Sequence, residues 1–157
     1  MYQKYIGFLK EYNLYDEEVL DYIKDKIIYI DYKKESFKEF VGCYPMIDNG
    51  IVKDIRLCIP KITDDISIAI NIHEYVHLLK MHKYLDKEYV FKKDEEVLPV
   101  FYEMLFLVNN QTKETDEYIE FYRTYIENNN NKEYIYALKI WDSVTNQSNC
   151  KILKREY

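Results

Sequence analysis

Apolar side chains recur through the first forty residues at Ile6, Leu9, Leu14, Val19, Leu20, Ile23, Ile27, Ile28 and Phe37, mostly three to five positions apart. That spacing lays an apolar stripe along a helix, so two amphipathic helices covering the core are predicted over 1–40. Between Phe40 and Ile59 the texture changes to FVGCYPMI, then Asp48-Asn49-Gly50, then IVKDIRLCI. β-Branched residues flank an Asn-Gly pair that favours positive φ in a tight turn, which predicts a β-hairpin.

Pro60 ends the second strand, and Thr63, Asp64 and Asp65 offer N-cap side chains before ISIAINIHEYVHLLKMHKYL. A helix of about twenty residues is predicted there. From Ile66 to Leu79 it is apolar on more than one side, which places it at the centre of the domain. A polar link over 86–93 leads to Asp94-Glu95-Glu96 and to VLPVFYEMLFLV, a second buried helix ending near Asn109-Asn110. Pro99 is expected to lie beyond its first turn and to bend the axis. Further helices are predicted at Glu114 to Glu127 and Lys132 to Val144, joined by a solvated loop of four asparagines, with a loose tail after Gln147.

The sum is an α+β chain, mainly α, with helices packed to one side of a small sheet. A length of 157 residues suits a single domain over 1–157, divided into N-terminal helices (1–40), hairpin and two buried helices (41–110) and C-terminal helices (111–157). Gly and Pro number only three each, which favours long helices over a turn-rich sandwich. With 48% hydrophobic and 32% charged residues the chain is expected to fold.

A net charge of −6 opposes a phosphate-binding surface, so nucleic acid is set aside as a partner. The N-terminal stretch lacks the apolar core of a signal peptide, and no run reaches membrane-spanning length. Cys43, Cys58 and Cys150 are odd in number and far apart, which indicates neither a disulfide framework nor a zinc knuckle. A cytoplasmic location is the expectation from these features. Eighteen tyrosines dilute the meaning of any one of them.

The candidate chemistry lies in His73-Glu74-Tyr75-Val76-His77. Residues four apart on a helix project from nearly the same face, one turn apart, so both imidazoles can share one ion. A catalytic zinc takes three protein ligands and leaves its fourth position to water. Glu74 is placed to accept a proton from that water and later to deliver it to a leaving amine, the general base and acid of peptide hydrolysis. His82 lies about 140° around the helix from His77 and is discounted as a ligand. The third ligand is then expected to be a carboxylate, and Glu96 opens the next predicted helix, with Glu95 competing for the role. Such a pair also suits a helix N-terminus through the macrodipole. Glu103 lies two helical turns beyond Glu96 on the same face and can support a histidine from behind.

In these features the chain resembles the gluzincin metallopeptidases, and most closely a reduced catalytic core of the thimet oligopeptidase and oligoendopeptidase F family. The motifs that carry the resemblance are IRLCI, DISIAINIHEYVH, and Glu96 with Glu103, discontinuously over about residues 51 to 140. The resemblance implies a zincin-like fold and a zinc-dependent peptidase with one zinc ion per chain. It implies His73, His77 and Glu96 as ligands and Glu74 as catalytic base. It also implies an edge strand at Ile55 to Ile59 that binds the backbone of a peptide or protein substrate by β-augmentation. The segment Glu133-Tyr134-Ile135-Tyr136-Ala137 is similar to the family's tyrosine segment, which implies Tyr134 or Tyr136 as donor to the tetrahedral oxyanion. Val76 departs from the glycine of HExGH, and the chain lacks the large helical walls of those oligopeptidases. A second resemblance is to the ImmA/IrrE-like regulatory zincins, whose third histidine is replaced here by Met81. A catalytically degenerate zinc-binding interaction protein is the remaining alternative.

Overall fold

In the computed structural model, residues 1–31, 41–90 and 95–147 are described. The chain divides into two compact units, 1–91 and 92–157.

The first unit begins with α1 (Tyr2–Glu11) and α2 (Glu17–Ile23). Asp16 caps α2 by accepting from the Val19 N–H at 3.2 Å. The second expected helix ends there, because the next apolar run, Ile27–Ile30, is a strand, β1. Isoleucines 23 and 27 keep helical spacing, but a run of β-branched residues packs better on a pleated surface than on a helix. Phe37, the last of the apolar positions expected in helix over 1–40, lies outside the described residues.

The hairpin forms as expected from β2 (Gly42–Asp48) and β3 (Ile51–Pro60). Asn49 at φ 49° and Gly50 at φ 81° supply the two positive φ values that a two-residue turn of this twist needs. β2 carries an irregularity in register between Met46 and Ile47. β3 is not an edge strand, however. The sheet order is β1-β3-β2, with β2 antiparallel to β3 and β1 parallel to it, from Ile27 opposite Leu57 to Ile30 opposite Pro60. Both sides of the Leu57–Cys58 backbone are therefore paired, and among the described residues the edges of this sheet belong to β1 and β2. The alternation along β3 gives the sheet an inner and an outer face: Ile55, Leu57 and Ile59 are buried, while Arg56 is exposed.

The inner face packs against α3 (Asp65–His82), which also meets α1, α2 and β2. The helix starts with a reciprocal capping box: the Asp64 carboxylate accepts from the Ser67 N–H at 2.8 Å, and the Ser67 hydroxyl accepts from the Asp64 N–H at 3.0 Å. Ile68, Ala69, Ile72 and Leu78 are fully buried, so α3 is central, as its all-round apolar pattern predicts.

The second unit consists of α4 (Val97–Asn109), α5 (Lys113–Asn128) and α6 (Lys132–Gln147), with α4 packed against both of the others. Thr112 and Thr115 form a second capping box at α5. Pro99 falls in the first turn of α4, where its missing N–H would have had no partner inside the helix, so the expected loss of a helical hydrogen bond does not arise. Among the described residues no helix is long and apolar enough to cross a membrane. Cys150 and the tail after Gln147 lie outside the described residues.

Candidate metal centre

Each of the two units carries candidate side chains. In the first, α3 presents His73 and His77 one turn apart, with ring centroids 5.1 Å from each other and planes inclined by 54°. His73 is buried and His77 half-buried. Glu74, between them in sequence, is only 7% exposed, unusual for a carboxylate and a sign that its surroundings hold it.

The field of Glu74 reaches the sheet. Burial pushes up the thiols of Cys43 on β2 and Cys58 on β3, and the Glu74 charge adds to both. The Tyr44 phenol on β2 is raised by burial first, then by Cys58 and Glu74. Cys43 itself is buried, its sulfur 3.6 Å from that of Met81 on α3. The part of β2 from Cys43 to Tyr44 therefore lies within electrostatic reach of Glu74.

Tyr75 fixes the rotation of this stretch of helix. Its ring is 1% exposed and meets Tyr5 edge-on at 6.3 Å. Its hydroxyl accepts from the Asp16 N–H at 3.2 Å and donates to the Asp16 carbonyl at 3.3 Å. Burial pushes its pKa up to about 12, opposed by the Asp16 backbone. Sequence reading passes over this tyrosine because its partner lies 59 positions away.

In the second unit Glu96 occupies the N-cap position of α4 without a side-chain capping bond, so capping does not account for it. Glu103, two turns on, is 2% exposed and accepts a hydrogen bond from the Tyr118 hydroxyl of α5 at 3.3 Å. Tyr118 stacks on Tyr122 at 5.9 Å, and Tyr122 meets Tyr134 edge-on at 6.3 Å. The Tyr122 phenol is pushed far up by burial, then by the Glu103 charge, with Tyr134, Tyr118 and Glu96 adding smaller effects. Tyr134 follows the buried face of α6 with Ala137, Leu138 and Trp141, whereas Tyr136 is exposed on another side of the helix. Neither Tyr118 nor Tyr122 is distinguishable in a sequence holding eighteen tyrosines.

One group of three among the described residues can hold a metal ion: His73, His77 and Glu96, whose ligand atoms all lie within 4.8 Å of one another. No family model matches the chain, and no curated protein or solved structure matches it. Two imidazoles and one carboxylate form a set that zinc accepts, and tetrahedral bonds of about 2.0 to 2.1 Å would bring the donors to about 3.3 Å apart. His82 and Glu95 are not in this group. His82 is half-buried, its ring 4.9 Å from that of Tyr22, and Glu95 is buried.

Proposed function

We propose that this chain is a zinc-dependent metallopeptidase in which His73, His77 and Glu96 hold the ion and Glu74 is the catalytic base. The observation that carries the reading is the grouping of those three donors with a buried carboxylate beside the first histidine in sequence. A bound zinc ion would supply Lewis acidity, polarising water and the scissile carbonyl. Glu74 accepts the proton of the attacking water and returns it to the leaving amine, a role suited to a carboxylate screened from bulk solvent. Tyr134, on the inward side of α6, is favoured over the exposed Tyr136 as donor to the oxyanion.

With β3 in the middle of the sheet, the substrate backbone would pair with β2, the edge strand that carries Cys43 and Tyr44 near Glu74. The zincin-like fold belongs to the same proposal.

Metal analysis of the purified chain, followed by hydrolysis of a peptide library, tests this. One zinc per chain is expected, lost in His73→Ala. Glu74→Gln is expected to retain zinc while peptide hydrolysis falls by about 10² to 10⁴. A wild-type chain that takes up no zinc overturns the reading. A chain that binds zinc and cleaves nothing is instead a zinc-dependent binding protein.

A further inference from the structure

Glu103 is a carboxylate that the proposed reaction does not use, and it is almost wholly buried. A buried carboxylate costs several kcal/mol unless donors meet it. One donor is the Tyr118 hydroxyl, arriving from α5. Tyr118 is also stacked nearly parallel on Tyr122, at an interplanar angle of 13°, so its ring is held on one side while its hydroxyl reaches Glu103. Phenylalanine would make the same stack. The hydroxyl is the part that packing alone does not require.

The same cluster reaches the metal-binding end of α4. Glu96 and Glu103 stand two turns apart and so share a helix face. Both act electrostatically on Tyr122, whose ring is packed between Tyr118 and Tyr134. Tyr118 meets the carboxylate face of α4 through Glu103, and Tyr122 lies within electrostatic reach of both carboxylates.

Resting on the metal-centre reading above, we infer that Tyr118 is a positioning residue for zinc: by donating to Glu103 it fixes the buried carboxylate behind the Glu96 ligand. Hydrogen bonding to the charged form of a carboxylate favours that form and restricts its orientation. An oriented anion next to the ligand face raises the attraction for a cation without touching it. Groups hydrogen-bonded directly to metal ligands commonly change the affinity by about 10 to 100-fold, so the lower end of that range is the effect expected of Tyr118.

The test is zinc titration of metal-free full-length protein in competition with a chromophoric chelator. Tyr118→Phe is expected to weaken zinc binding by roughly tenfold, and Glu103→Gln by at least as much. In the Glu103→Gln background, Tyr118→Phe should have no further effect, since its acceptor has already lost its charge. Tyr125→Phe, on an exposed part of α5, serves as the control and should bind as wild type. Wild-type zinc affinity in Tyr118→Phe, even with a lowered thermal midpoint, overturns the inference by showing a packing role. So do independent, multiplying losses in the double variant. Failure of the wild-type chain to bind zinc refutes the metal-centre reading itself, a different result from zinc bound equally by both proteins.

Discussion

Replacing Tyr75 by phenylalanine removes one oxygen from the middle of the His73–His77 stretch, and the structure says what that oxygen does. It accepts from the Asp16 N–H at 3.2 Å and donates to the Asp16 carbonyl at 3.3 Å, pinning the start of α2 to α3. A net intramolecular hydrogen bond contributes about 0.5 to 1.5 kcal/mol. Both bonds are long, and Asp16 is exposed, so water can partly take over its backbone groups. The expected loss is therefore about 1 to 2 kcal/mol, from the lower half of the range summed over two bonds. The edge contact with Tyr5 survives, because the ring is unchanged. Urea unfolding should show a lower midpoint at an unaltered slope, and amide exchange should quicken over 16–19, where α2 loses its anchor. The imidazoles of α3 are untouched, so zinc stoichiometry should be kept. A loss below about 0.5 kcal/mol would show that water replaces the hydroxyl fully and that Tyr75 is held by its ring alone.

Two further outcomes follow from the first unit. Asp64→Ala removes one half of the capping box at the start of α3 and should cost about 1 kcal/mol in urea unfolding, with Ser67→Ala less than additive in the same background. Asp54 gives a pH dependence: the Lys26 ammonium at 2.6 Å holds its pKa down to about 2 from an ordinary 3.8, burial opposes this, and the Tyr22 hydroxyl at 2.8 Å assists it. A depressed carboxylate stabilises the fold above its unfolded value, so this contribution is complete above about pH 4 and is lost as pH falls towards 2. Lys26→Met should flatten that part of the stability profile; an unchanged acid limb would refute the assignment.

The elements that were legible in the sequence are those set by local chemistry. Asn49-Gly50 announces its turn through the φ values it tolerates, and Asp64 announces a helix start through its side chain. The histidine pair, too, needs only helical periodicity to be placed on one face. What was hidden depends on distant pairing. Nothing near Ile55–Ile59 reveals that Ile27–Ile30 will lie alongside it, and so a central strand reads as an edge. Ile27 and Ile28 were also ambiguous in themselves, since they continue a helical spacing while carrying strand-forming side chains. Pro99 misled for a smaller reason: the first turn of α4 begins at Val97, a boundary that no cap side chain marks. The buried Glu103 and its tyrosine partner could be suspected only as a carboxylate two turns from another, because the donor comes from the next helix.

The parallel pairing of β1 with β3 also sets a timetable. β2 and β3 are joined by two residues and can close within about 1 to 10 μs once both exist. Ile27, by contrast, pairs with Leu57, thirty positions later in the chain. At a synthesis rate of about 5 to 20 residues per second, the Ile27–Ile30 run waits roughly two to six seconds before its partner is made. During translation this short β-branched segment therefore exists for seconds before the strand it pairs with, whereas β2 and β3 emerge almost together.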